Sequence, residues 1–277
     1  MIVDLHLHSN ASDGLLCPKD LVKLLYEQRV TNCALTDHDT MNGVQDAQKI
    51  AYDYGIALLP GVELSTQDGA EVHMLGYFNE VPAGLSEKLE SLRQARIVRM
   101  HRMVDALKKA GAAIDVKDIE CEENASPGRV HVARALIGKG YAVNVNEAFR
   151  RYLLKGRPGY VDREKLTPIE AIALIKAHGG IAVLAHPGII PISGSALSER
   201  MREYQKAGLS GIEAYHPRHT PIERAQLRRY ARDGGLLVTG GSDYHGAHGA
   251  TLPGEMAIDW QDMAQDFNEF LAKLAAV

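Results

Sequence analysis

Residues 2–9 read IVDLHLHS, a short apolar run that ends in two histidines set two apart. Further short apolar runs that carry polar side chains in or at the end of the run follow at CALTDH (33–38), IALLPGVEL (56–64), EVHMLGYF (71–78), GIAVLAHP (180–187), GIEAYH (211–216) and LLVTGGSDYH (236–245). Helical patterns lie between the runs near Lys19–Glu27, Val44–Tyr54, Leu197–Ala207 and Pro221–Arg232, and a closing helix is expected after Trp260. Strands alternating with helices predict parallel strands joined by crossover helices, an α/β fold.

The alternation stops between about Leu85 and Arg163. Leu85, Leu89, Leu92, Met100, Val104 and Leu107 form one apolar stripe at helical spacing, and further helices are expected at Val130–Gly138 and Val145–Leu154. The expected organisation is therefore a barrel domain from residues 1–84 and 164–277, with residues 85–163 as an all-helical insertion that caps the substrate site. Thr167 is placed to cap a helix opening at Pro168.

With 277 residues, 45% of them apolar, the chain can bury one sizeable core. A net charge of -4 gives no general attraction to phosphate polymers, so any anion must be drawn by a local cluster. Cys17, Cys33 and Cys121 are odd in number and far apart, which suits a reducing compartment and packing roles. The start carries no secretory pattern, and no apolar run approaches the roughly 18 residues of a membrane span, so a cytoplasmic, soluble protein is expected.

On a strand, side chains two apart share a face, so His6 and His8 can grip one ion together. His38, Glu63, His73, His186, Asp243 and His245 likewise sit in or just after apolar runs, and Asp13 follows the first. In parallel barrels such positions meet at the carboxyl ends of the strands. Nine candidate ligands exceed the needs of one ion, and nitrogen and carboxylate donors without thiolates suit manganese first, with iron or zinc also open. Two ions ~4 Å apart can share a hydroxide nucleophile and clamp a phosphoester. Glu63 is the expected bridging carboxylate, and Asp37 and Asp39 are expected to orient the His38 ring.

The segments DLHLHS (4–9), TDHD (36–39), AHP (185–187) and SDYH (242–245) resemble the four motifs of the polymerase and histidinol phosphatase family. The resemblance covers both ends of the chain. It implies a distorted (β/α)7 barrel with three divalent ions. The family's partition puts one ion on His6, His8, Glu63 and Asp243, a second on Asp13, His38 and His245, and a third on Glu63, His73 and His186. SPGRVHVARALI (126–137) and RPGYVD (157–162) resemble a subgroup that acts on nucleotides and RNA 5′ ends. That likeness implies hydrolysis of the 3′-phosphate of nucleoside 3′,5′-bisphosphates. Alternatives are 5′-3′ exonuclease action on short 5′-phosphorylated RNA or DNA, and metal-dependent amide hydrolysis, to which the arginines of the insertion are unsuited. The expected partner is a small nucleotide or a short 5′-phosphorylated oligonucleotide, with no obligate protein partner.

Arg129, His131 and Arg134 lie at an expected helix start, where they either bind a second phosphate or form an ordinary basic face. Arg218 and His219 follow a strand on the presumed catalytic side and could bind phosphate, with His219 a candidate general acid. Tyr160 and Tyr215 are open to stacking on a base or to packing. His101, His178, His216 and His248 are read as structural, and the spacing of Arg93, Arg96, Arg99 and Arg102 as a solvated helix face, with contact to a polyanion as the alternative.

Overall fold

The computed structural model describes residues 1–192, 194–246, 251–255 and 260–277. His248 lies outside the described residues. Seven strands follow one another in chain order in one sheet: β1 (Val3–Leu7), β2 (Asn32–Leu35), β3 (Ala57–Asp68), β4 (Ala70–Tyr77), β5 (Ile181–Leu184), β6 (Gly211–Tyr215) and β7 (Leu237–Gly240). The sheet nearly closes, because the chain leaving β7 returns to β1. There the His8 N–H donates to the Tyr244 carbonyl at 3.0 Å and the Asp243 N–H to the His6 carbonyl at 2.9 Å.

One strand breaks the expected parallel pattern. β4 runs antiparallel to both β3 and β5. Asp68 pairs with Ala70 across Gly69, whose φ of +69° is a left-handed conformation that favours glycine. So tight a turn leaves no length for a crossover helix, so the chain doubles back and the barrel is distorted. His73 consequently enters from the middle of a reversed strand, opposite Ser65 on β3.

Helices α1 (Pro18–Glu27), α2 (Val44–Asp53), α6 (Pro168–Ala177), α7 (Ser195–Ala207), α8 (Pro221–Gly234) and α9 (Trp260–Leu274) accompany the sheet, and α3 (Leu85–Lys109), α4 (Arg129–Gly138) and α5 (Val145–Ala148) lie between β4 and α6. Both α6 and α8 open with Thr-Pro-x-Glu. Thr167 accepts from the Glu170 N–H and Thr220 from the Glu223 N–H, and each glutamate returns a bond to its cap. Such reciprocal caps satisfy N–H groups that a helix start leaves open.

The apolar stripe of α3 serves two cores. Leu85, Leu89 and Leu92 join the barrel core, whereas Met103, Val104 and Leu107 join a separate cluster with Ile114, Val132, Leu136 and Leu153. The helical segment therefore buries its own apolar surface while its first helix stays rooted in the barrel. Among the described residues no helix is long and apolar enough to cross a membrane.

Candidate metal centre

Along β1 and the residue that follows it, Val3, Leu5 and Leu7 alternate with Asp4, His6 and His8, and all six are buried. The polar set points into the barrel, where a charge is costly unless paired. Glu63, 1% exposed, stands at the centre of what pairs it. Its Oε2 lies 3.2 Å from Nε2 of His6, 3.2 Å from Nε2 of His8 and 3.0 Å from Nδ1 of His38, and its Oε1 lies 2.7 Å from Nδ1 of His73 and 3.1 Å from Nε2 of His186. Asp243 Oδ1 closes on His6 and His8 at 3.4 and 3.2 Å, and Asp13 Oδ1 lies 3.2 Å from Nε2 of His245.

All nine candidate ligands thus meet in one place. The geometry sorts eight of them into three groups, in each of which the donor atoms lie within 4.8 Å of one another: His6, His8, Glu63 and Asp243; His8, Asp13, His38 and His245; and His38, Glu63 and His73. His186 stands beside the third group through its contact with Glu63.

Two features fit this donor set to cations. Nε2 of His6 and His8, Nδ1 of His38, Oδ1 of Asp13 and Oε2 of Glu63 are buried yet make no hydrogen bond. Buried polar atoms are rarely left so, and here several face one another. The charges also balance only through protons. Burial alone would push the Glu63 carboxyl up, yet His38, His73 and His6 hold it well below the usual range. Burial disfavours the His73 imidazolium, but Glu63 lifts its pKa to about 9, and Asp13 and Asp243 lift His245 to about 10 in the same way. Metal ions would replace those protons.

A second layer holds these ligands. Glu213, fully buried on β6, accepts from Nδ1–H of His6 at 3.0 Å and from the His186 N–H at 2.8 Å, fixing two of the nine residues with one carboxylate. Asp37 accepts from Ser9 N–H, Ser9 Oγ and Ser12 Oγ at 2.8, 2.6 and 2.5 Å, which pins the loop carrying Asp13. Asp39 accepts from Arg96 Nε at 2.6 Å, Arg163 Nη2 at 2.9 Å and the Ser65 N–H. Neither aspartate touches the His38 ring as expected, because each is consumed by neighbours from distant segments. Asp39, His186 and Asp243 have φ of +52°, +29° and +52°. Non-glycine residues in this region carry strain of roughly 1–3 kcal/mol each, which recurs at functional sites.

The cluster floors a cavity of about 330 Å3, within the range of small-molecule sites. Arg129 and Arg218 line it, but His131, Arg134 and His219 do not. His131 Nδ1 accepts from the Gly128 N–H at the start of α4, and Arg134 donates to the Asp13 carbonyl at 2.8 Å, so both brace the loops around the site. His219 donates from Nδ1 to the Ala214 carbonyl and accepts at Nε2 from the Gly188 N–H. Both of its ring nitrogens are thus committed to backbone groups. Tyr215 turns away to Asp266, and the aromatic wall of the cavity is Phe149, the first residue of a π-helical turn after α5.

The reading of a solvated helix face fails for two of its arginines, while His216, read as structural, is buried beside the cluster. Arg96 and Arg99 are buried at 7% and 9% exposure, because Asp39 and the Val161 carbonyl, far off in sequence, receive them. His216 is buried: its Nδ1 accepts from the Arg218 N–H, so the proton sits on Nε2, 3.4 Å from Asp243 Oδ2. Its place directly after β6, like that of His186 after β5, was the available signal.

The PHP domain family profile matches residues 4–158. A 5′-3′ exoribonuclease of Haemophilus influenzae is 35% identical over 87% of this chain and 89% of its own length. A 3′,5′-nucleoside bisphosphate phosphatase of Chromobacterium violaceum is 33% identical over 93% of this chain and 90% of its own. A crystal structure from Bifidobacterium adolescentis, assigned as a metal-dependent phosphoesterase, superposes with a TM-score of 0.87 at 31% identity, covering 98% of this chain and 95% of that one.

Proposed function

This chain belongs to the PHP domain family of metal-dependent phosphoesterases, and on that premise we propose that it hydrolyses the phosphoester at the 3′ oxygen of a 5′-phosphorylated nucleotide. The observation that carries the reading is the set of buried, unbonded nitrogen and carboxylate atoms around Glu63, which opens onto a cavity walled by arginines.

The two relatives' reactions are one bond change. Removing the 3′-phosphate of a nucleoside 3′,5′-bisphosphate, or the first nucleotide from a 5′-phosphorylated strand, forms a bond from water oxygen to phosphorus. Each breaks the bond between phosphorus and O3′ and leaves the proton on O3′ of a nucleoside 5′-monophosphate. Only the group beyond the phosphorus differs. The mononucleotide bisphosphate is our leading substrate and the short RNA or DNA 5′ end the alternative.

Three ions, manganese before iron or zinc, would be held by His6, His8, Asp13, His38, Glu63, His73, His186, Asp243 and His245. When bound, such ions lower the pKa of water and neutralise charge on the phosphoryl oxygens. Glu63 shares its two oxygens between opposite sides of the cluster, Glu213 keeps the His6 proton on Nδ1 and so leaves Nε2 free to ligate, and Asp37 and Asp39 hold the loops at fixed depth. The helical segment of residues 85–163 supplies Arg96, Arg99, Arg129 and Phe149 to the wall and acts as the substrate cap. Three free cysteines accord with a reducing, cytoplasmic setting.

The test is release of phosphate from adenosine 3′,5′-bisphosphate, and of nucleotide from a short 5′-phosphorylated RNA, by protein loaded with manganese. Turnover of at least one, abolished in His6→Ala and Asp243→Ala proteins that keep wild-type circular dichroism, is expected. Absence of turnover on both, or wild-type rates in the variants, refutes the reading.

A further inference from the structure

One carboxylate outside the nine ligands reaches the cluster. Glu71 and His73 lie two apart on β4, so their side chains leave the same face of the strand, and both line the cavity. Glu71 Oε1 lies 3.5 Å from Nε2 of His73 and 2.7 Å from Nζ of Lys165, while Oε2 accepts from Nη2 of Arg129. Arg129 opens α4 in the helical segment, and Lys165 lies on the stretch that brings the chain back to α6. A single side chain on the reversed strand therefore stands between a cluster histidine and two cations from beyond the sheet.

His73 needs such a neighbour. Its Nδ1 faces Glu63 Oε1 at 2.7 Å within the donor group of His38, Glu63 and His73. A cation in that group takes the Nδ1 lone pair, so the imidazole proton must sit on Nε2. That nitrogen is buried and makes no hydrogen bond among the described residues, and Glu71 is the carboxylate beside it. Histidines that ligate metals generally donate the other ring N–H to a carboxylate or a carbonyl. Glu213 serves His6 in that way, from the opposite ring nitrogen.

Charge points in the same direction. Arg129 and Lys165 are both neutralised by Glu71, and without that carboxylate both would repel a dication bound at His73. This group is also the poorest in donors, with three against four in each of the others. Loss of one favourable neighbour should therefore show here first.

We propose that Glu71 is a positioning residue for the ion of His38, Glu63 and His73, holding the His73 proton on Nε2 so that Nδ1 can ligate, and screening that ion from Arg129 and Lys165. The inference rests on the metal-centre reading above and ties one residue, a member of none of the donor groups, to the filling of one of them.

The experiment titrates the metal-free full chain with Mn2+ by calorimetry and counts bound manganese by elemental analysis once free metal is removed. Glu71→Gln keeps the size of the side chain but not its charge. It should weaken one ion by roughly 10- to 100-fold and leave the others at wild-type affinity, so that the variant holds one manganese fewer. Glu71→Asp, charged but shorter, should fall between. Lys165→Met breaks the ion pair yet leaves Glu71 beside His73, so it should keep the wild-type count. A side chain that merely props the fold would instead lower the metal-free thermal midpoint and all affinities together. Wild-type count and affinities in folded Glu71→Gln, a parallel loss of every ion, or the same single loss in Lys165→Met overturns the assignment. Should Glu71→Gln not fold, wild-type count and affinities in Glu71→Asp have the same force. A wild type that binds no manganese would instead overturn the metal-centre reading itself.

Discussion

Glu213→Gln is the most informative single change outside the ligands, because glutamine keeps the shape of glutamate and alters only what its two end atoms can do. Glu213 accepts two N–H groups, from the His6 ring at 3.0 Å and the His186 backbone at 2.8 Å. Glutamine has one accepting oxygen and one donating nitrogen, so one of the two N–H groups must be opposed. If the amide nitrogen faces His6, the imidazole proton moves to Nε2 and the nitrogen aimed at Glu63 and Asp243 loses its lone pair. If it faces His186, a buried backbone N–H goes unpaired at about 1–3 kcal/mol. The first outcome weakens ion binding by roughly 10- to 100-fold, as loss of the outer carboxylate of a metal-bound histidine generally does, and the second lowers the stability of the metal-free protein. Calorimetric titration of metal-free protein with Mn2+ measures the first, and the thermal midpoint of the metal-free variant measures the second. A Glu213→Gln protein with both wild-type Mn2+ affinity and a wild-type metal-free midpoint would show that the carboxylate only fills space, and the reasoning would be wrong.

Other expectations concern stability and reactivity. Asp39→Asn leaves Arg96 and Arg163 buried without their shared carboxylate, a change that should cost about 3–5 kcal/mol in urea denaturation of metal-free protein. Burial disfavours the Asp39 anion, but Arg96 and Arg163 hold its pKa at about 2. That is below the ~3.9 of an unfolded aspartate, so its contribution is complete above pH ~4 and disappears as pH falls toward about 2. The gap between wild type and Asp39→Asn should therefore narrow in that window, and a gap that does not change with pH refutes the pairing. For the thiols, Cys121 is exposed and Cys33 is buried, with burial pushing its pKa well up. Iodoacetamide followed by mass spectrometry should label Cys121 in native protein and Cys33 only after denaturation, and early labelling of Cys33 would contradict its position in the core.

The parts of the fold carried by local pattern were legible in the sequence: DLHLHS as a strand with two histidines on one face, the Thr167 cap before Pro168, and the apolar stripe of α3. The reversal at β4 was less so, although Asp68-Gly69 between two apolar runs is a recognised hairpin signal that could have flagged it. What stayed hidden depended on partners far away in sequence. Arg96 and Arg99 read as surface charges until Asp39 and Val161 are brought against them. Glu213 looked like one polar residue in an apolar strand, and only closure of the barrel sets it under His6, more than 200 positions earlier. The split of the α3 stripe between two cores is invisible in the stripe itself, since periodicity shows which face is apolar but not what covers it. The strained φ at Asp39, His186 and Asp243 has no local signature either.

Crystals grown with Mn2+ and measured at the manganese edge decide most directly whether these scattered side chains share a cluster of cations. Anomalous peaks roughly 2.0–2.5 Å from the Glu63 carboxylate and from the imidazoles of His6 and His8 are the expected result. A map from manganese-saturated, folded protein with no peak within reach of Glu63 would contradict it.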